Sequence, residues 1–341
     1  MSSSYNNMSL EEGCRTAVIT CMGVKETDKV TIVSDNGSER IGKTLRAIAL
    51  EITPRVRFFN LDLYGKRPLK HFPDAIKTAA LDSTVTFWTA SSMEGELESV
   101  RGPFIDAAKV GGRHGHMVNI TEKVVEQALA VDYSEIEEFT KKLYDRLQNV
   151  DTIRVTNPQG TDVTAKFKDS WKWMPSAGIC HNIGHWNNLP DGEVFTAPIK
   201  MEGKLVVDGI IGDYLGNKYL HADLQETPLH LTIENKDRPR VVDVYSENQE
   251  LMEDVKKYIS LSDCASIVGE FGMGTNIFLK ELSDNMLQDE KFPGVHVAFG
   301  DPMAEETFAD WSCPQHLDNI LTHCDVWFDG ELIMKDGKYL I

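Results

Sequence analysis

Hydrophobic spacing changes its rhythm near residue 150, and no single class of secondary structure accommodates both rhythms. Before that point, short runs rich in β-branched and aromatic residues (30–33, 57–61, 84–88) read as buried strands. Between them Ile41, Leu45 and Ile48 recur at helical spacing. Strand–helix alternation of this kind predicts βαβ units and a mostly parallel sheet. Two helices close the block, one over 121–130 and one that follows Asp132 as N-cap, with Glu135 three residues on. The second lines up Ile136, Phe139, Leu143, Leu147 and Val150 on one face.

Beyond residue 150 the segment 152–167 reads as a hairpin around a turn at 157–160, and further strands fall near 193–197, 204–208, 230–233 and 241–244. A helix over about 249–259 interrupts them. The end, 324–341, has two Asp-Gly turns between β runs and so reads as a meander. The sequence therefore predicts an α/β domain over 1–150, a mostly parallel sheet with helices, and an α+β, sheet-rich domain over 151–341.

Charge narrows the partners. The chain carries 35 basic and 53 acidic residues, a net −18, which repels phosphate backbones and anionic lipid, and no basic patch offsets it. Nucleic acid and membrane surfaces are excluded as partners. The opening residues lack the basic and apolar regions of a signal peptide, and no apolar run approaches the ~18 residues of a spanning helix. The six cysteines are dispersed without a Cys-x-x-Cys pair, so reduced, buried thiols are expected. Together these features predict a soluble, cytoplasmic protein.

Three sets of residues invite a chemical reading. Residues 37–44, Gly-Ser-Glu-Arg-Ile-Gly-Lys-Thr, fit the phosphate-loop pattern. But Ser38 looks like a helix N-cap and Ile41 already begins an apolar stripe, which places Lys43 in the second turn facing solvent. An ordinary surface helix is expected. His114 with His116, and Cys180 and His181 with His185, offer metal ligands at short spacing. Neither cluster has further ligands nearby, and short His pairs of this kind are commonly hydrogen-bonded structural groups.

The third set lies in the sheet-rich half. Glu193 opens a strand after a turn at 188–192. Glu270 ends the apolar run 265–270 and precedes a glycine-rich loop. His296 lies inside the apolar stretch 294–300, and His316 and Asp318 stand two apart, on one face of a strand. Polar groups at strand positions with no local partner need a common explanation, and a cation supplies one.

These blocks, Asn-Leu-Pro-Asp-Gly-Glu-Val-Phe-Thr-Ala-Pro ending at Pro198, Gly269-Glu270, His-Val-Ala-Phe-Gly from His296, and His316-Leu-Asp318, resemble in order the aminopeptidase T family of thermophilic metallopeptidases. The resemblance covers the C-terminal half well and the N-terminal half only as an α/β domain. It implies that Glu193, Glu270, His296, His316 and Asp318 hold two divalent ions, zinc or cobalt. It further implies hydrolysis of short peptides from the N-terminus by a metal-bridged water, and a homodimer. Glu193, Glu270 and Glu290 are the candidate catalytic carboxylates, Glu290 standing at a shifted spacing before His296. Family members usually carry a Tyr seven residues after that histidine, where this chain has Met303. The same framework also resembles dihydroxypyridine ring-opening dioxygenases, which use one iron(II). Those carry a His in place of Glu270, and here His296, His316 and Asp318 would form the two-histidine, one-carboxylate triad. A relative that keeps the fold without activity is the third reading.

Overall fold

The computed structural model describes residues 9–168 and 170–341. The chain divides into two compact units that interleave along the sequence. The first runs through Glu137 and resumes over Ala177–Asp191; the second comprises Glu138–Ser176 and Gly192–Ile341. Where the sequence places one boundary near residue 150, the chain thus changes unit three times, first within the helix Tyr133–Leu147. That helix carries an unbroken apolar face, so nothing in its periodicity marks the change.

The first unit is built on a five-stranded sheet, parallel throughout as the strand–helix alternation predicts. Its order is Val56–Asn60, Val30–Ser34, Val85–Trp88, Arg113–His116, Trp186–Asn188. The three central strands are buried at every position, as expected of parallel strands covered on both faces. Two of the five strands are not expected from the sequence: Arg113–His116, which reads there only as a histidine pair, and Trp186–Asn188, which is three residues long and too polar to register as a β run. Directly after the strand Val30–Ser34, Asp35 accepts from Arg67 Nη1 at 2.7 Å, and Glu96 accepts from Arg67 Nε at 3.1 Å, so that three charges buried together satisfy one another.

The phosphate-loop pattern is a helix, Glu39–Ile52, with Ile41, Leu45 and Ile48 buried. Ser38 stands at its N-cap position, but its hydroxyl bonds Asp35 rather than the helix amides. Lys43 is exposed and pairs with Glu39 one turn back at 2.7 Å.

The second unit pairs two sheets. The larger has eight strands and is antiparallel, ordered Pro239–Tyr245, Leu229–Asn235, Lys200–Val207, Asp162–Lys166, Thr152–Thr156, Asp325–Phe328, Glu331–Lys335, Lys338–Tyr339. The hairpin and meander expected from the sequence are both in it. Asp329 and Gly330, and again Asp336 and Gly337, take positive φ, the backbone that two-residue hairpin turns require. The smaller sheet runs His316–Leu317, Val295–Gly300, Val268–Gly274, Glu193–Thr196, Met174–Ser176, with Ile320–Leu321 also paired to Val295–Gly300. One core draws on both sheets, for example Ile153, Val163 and Leu205 with Phe271, Val297 and Phe299.

One cysteine expectation is corrected here. Cys264 and Cys313 form a disulfide, while Cys14, Cys21, Cys180 and Cys324 are free and buried. The bridge joins residues 49 apart in sequence, brought together by the return of the chain to the smaller sheet, and spacing alone does not reveal it. Among the described residues no helix is long and apolar enough to cross a membrane.

Because Lys43 sits on an already formed helix and reaches only Glu39, Lys43→Ala is expected to leave the melting temperature within about 2 °C of the parent. It should also leave no ATP binding to lose; saturable ATP binding that vanishes in this variant, measured by calorimetry, would reinstate the phosphate loop.

Candidate metal centre

The smaller sheet places the polar residues of the third set on one face. Glu193 begins its strand opposite Gly274, and His296 lies opposite Gly272 on the neighbouring strand. Glu270, two before Gly272, shares that face by strand alternation. The sequence reading ends the strand at Glu270 and expects a loop after it. Instead the strand continues to Gly274 and is buried throughout. The glycines explain both facts. A Cβ on Gly272 would stand 1.9 Å from His296 Nε2, so only glycine lets the imidazole lie across this strand. A Cβ on Gly274 would meet the Phe292 carbonyl oxygen at 2.0 Å.

The side chains converge. His296 Nε2 lies 3.3 Å from Glu193 Oε2 and 3.2 Å from Glu270 Oε1. His316 Nε2 lies 3.8 Å from Glu270 Oε2 and 3.3 Å from Asp318 Oδ1. Two groups with the spacing of a metal site result, Glu193–Glu270–His296 and Glu270–His316–Asp318, each with its ligand atoms within 4.8 Å of one another. Glu270 belongs to both, one oxygen toward each. Glu193, Glu270, His296 and Asp318 are all buried, and His316 is the exposed member, its side chain 32% accessible.

Glu290 stands apart from both groups. It ends the short helix Met286–Asp289, and its Oε1 pairs with Lys291 Nζ at 2.7 Å. Lys291 is the residue sequence reasoning misses. Its side chain is fully buried, and Nζ also contacts Glu193 Oε1 at 2.5 Å. One lysine in the acidic stretch 289–291 carries no periodic or spacing signal. Met303 adopts a left-handed backbone, φ 51°, ahead of the turn Ala304–Thr307, with its amide donated to Asp301 Oδ1.

The electrostatics are those of a cluster short of positive charge. Burial works against ionisation of Glu193, yet Lys291 and His296 outweigh it and hold the carboxyl at about 2. Burial likewise opposes ionisation of Asp318, and His316 foremost pulls it to about 2. Burial would lower His296, but Glu193 and Glu270 lift it to about 10, and His316 rises for the same reason beside Asp318. Glu290 is pushed up to about 8, by burial first and by Glu193 and Asp318, against the pull of Lys291. In the absence of metal, protons on the two imidazoles supply the missing positive charge. A donor set of imidazole nitrogens and carboxylate oxygens suits zinc, cobalt or iron(II), and the cluster fits a divalent cation by composition and by charge.

The other histidine clusters lie outside both groups. Thr86 Oγ1 bonds His114 Nδ1 at 2.8 Å, and His114 Nε2 bonds His116 Nδ1 at 3.1 Å. Burial lowers His114 to about 3 and His116 well below its ordinary value, so this is a neutral hydrogen-bonded pair. His181 bonds the Thr20 carbonyl at 2.9 Å.

Metal binding must therefore displace protons. Because the folded pKa of His296 lies above its ordinary 6.5, the metal-free protein is expected to lose stability as pH rises from about 6.5 toward about 10. Affinity for a divalent ion should rise over the same range, with protons released on binding, detectable by calorimetry in buffers of different ionisation enthalpy. An ion present at 100 times its Kd should stabilise the protein by about 2.7 kcal/mol. Glu270→Ala, which removes the carboxylate common to both groups, should abolish that gain in a thermal melt.

Two solved structures share this fold. One is the 2,5-dihydroxypyridine dioxygenase from Pseudomonas putida KT2440, 18% identical, with 98% of each chain covered and a TM-score of 0.69. The other is wild-type AmpT from Thermus thermophilus, 16% identical, covering 97% of this chain and 99% of that one, with a TM-score of 0.68. No curated protein matches the sequence. The profile of thermophilic metalloproteases (M29) matches residues 117–313, a span that includes Glu193, Glu270, Glu290 and His296 and stops just before His316. It covers more than half of a chain whose clustered imidazoles and carboxylates already ask for a divalent ion, and the chain belongs to the thermophilic metalloprotease family (M29), a family of metal-dependent hydrolases.

Proposed function

We propose that the protein is a metal-dependent aminopeptidase that removes N-terminal residues from short peptides. The observation that carries this reading is Glu270, whose two oxygens face two different imidazoles, with Glu193 completing one group and Asp318 the other. A mononuclear two-histidine, one-carboxylate site needs only His296, His316 and Asp318. The additional buried Glu193 and Glu270 are what a carboxylate-rich hydrolytic site uses. In this reading His296, His316, Glu193, Glu270 and Asp318 are the metal ligands, zinc or cobalt being suited to them.

A divalent ion bound there supplies a Lewis acid for the scissile carbonyl and lowers the pKa of a bound water. The protein's own groups do the rest. Glu290, its carboxyl lifted to about 8 by burial first, is mostly protonated at neutral pH in the metal-free site. A cation bound nearby would favour its ionised form, and it is then placed to act as a general base that returns the proton to the leaving amine. Lys291 holds Glu193 and Glu290 in place. The surplus of carboxylate favours a substrate ammonium, so the free N-terminus is the anchor. Met303 offers no hydroxyl to hydrogen-bond the tetrahedral intermediate where family members usually carry a Tyr, and weak or narrow activity is expected. The family resemblance supports a homodimer.

The dioxygenase reading rests on the equal fold likeness to the Pseudomonas enzyme and on the same His296, His316 and Asp318. The two separate in one experiment. Metal-stripped protein restored with zinc, cobalt or manganese should hydrolyse dipeptides and aminoacyl-anilides, and N-acetylated peptides should resist. No turnover across that panel, with oxygen-dependent consumption of a dihydroxypyridine after iron(II) loading, would replace the peptidase with the dioxygenase.

A further inference from the structure

Lys291 gives the two cation positions unequal standing. A fully buried ammonium persists only when paired, and Nζ contacts Glu193 Oε1 at 2.5 Å and Glu290 Oε1 at 2.7 Å. Glu193 belongs to one of the two groups only, that with Glu270 and His296; the other is Glu270, His316 and Asp318. The ammonium and any ion held by the first group therefore share one carboxylate, an oxygen each, and two positive charges on one carboxylate repel.

Charge balance points the same way. The ligand carboxylates Glu193, Glu270 and Asp318 carry three negative charges. One divalent ion and the Lys291 ammonium supply three positive charges. Two divalent ions and the ammonium would supply five, which exceeds even the four negatives obtained when Glu290 is counted. Net charge enclosed in a buried site is costly.

We propose that Lys291 is the resident cation beside Glu193, so that the chain binds one divalent ion tightly, at Glu270, His316 and Asp318, with the ammonium in the role a second ion would otherwise fill. The inference rests on the metallohydrolase reading for the existence of the site, but it narrows that reading's five-ligand set: Glu193 and His296 line the place of the ammonium and hold no second ion. It also changes what the site offers a substrate. One side presents a Lewis acid, and the other a fixed ammonium with its Nζ–H donors and no exchangeable ligand position.

The test is metal stoichiometry of the stripped full-length protein, titrated with zinc or cobalt by calorimetry and counted by native mass spectrometry. The parent is expected to bind one ion per chain, any second at least about a hundredfold more weakly. Glu193→Gln should keep that one ion with affinity within about threefold, whereas Asp318→Asn should lose it. Lys291→Met should admit a second ion. Two ions of comparable affinity in the parent would overturn the proposal while leaving the metallohydrolase intact, as would loss of the tight ion in Glu193→Gln. No ion bound by folded parent protein would remove the metallohydrolase reading itself. If Lys291→Met does not fold, Glu193→Gln against Asp318→Asn decides the matter alone.

Discussion

Several carboxylates brought together in a dry place cannot remain charged unless something positive is brought with them, and the second unit is organised around that demand. Glu193, Glu270 and Asp318 are buried on one sheet face. Their attraction is strong enough to keep His296 and His316 protonated and to draw the ammonium of Lys291 into full burial. Each of these groups is expensive alone and tolerable in company. The hydrolytic reading follows from the same imbalance, since a site that already recruits protons and a lysine is prepared to exchange some of that charge for a metal ion.

Holding such a cluster requires a backbone that does not give way. The strand Val268–Gly274 is paired on both sides, by Val295–Gly300 and by Glu193–Thr196, and is packed through Phe271 and Met273 into the core shared with the eight-stranded sheet. The alternation of that strand sends Phe271 and Met273 to the core and Glu270, Gly272 and Gly274 to the site. Gly272 is where the two demands meet: the face must carry a carboxylate and, one position on in the alternation, must carry nothing at all. An irregularity in pairing between Val268 and Glu270 adjusts the register just before that carboxylate.

What was legible in the sequence was whatever periodicity or local spacing encodes. The apolar parallel strands Val30–Ser34, Val56–Asn60 and Val85–Trp88, the amphipathic helix Glu39–Ile52, the hairpin and the Asp-Gly meander all announce themselves over a few residues, and so do a Glu at a strand start or a His and Asp two apart. The convergence of Glu193, Glu270, His296, His316 and Asp318 was inferred from their common setting and from family likeness. What stayed hidden depends on distant partners. Lys291 looks like any surface lysine until Glu193, nearly a hundred residues earlier, is placed against it. Gly272 and Gly274 read as a flexible loop because glycine lowers strand propensity, when here they mark crowding. Cys264 and Cys313 find each other only after the smaller sheet has closed, and the short polar strand Trp186–Asn188 is a strand only because Arg113–His116 offers it an edge.

The interleaving of the two units bears on how the chain is made. During synthesis the N-terminal part leaves the ribosome first, yet its sheet lacks an outer strand until Asn188 has emerged, by which time all of Glu138–Ser176 is already outside. That intervening stretch belongs to the other unit, most of which has still to be translated, down to the final meander. Neither unit can be cut out as one contiguous piece of gene, and a truncation anywhere between residues 138 and 185 leaves the first sheet without its outer strand and the second unit without most of its strands. A split-gene or fusion strategy for this fold would have to respect two changes of unit beyond the first, and the eight-stranded sheet is assembled only once the strands from Asp325 to Tyr339 have been made.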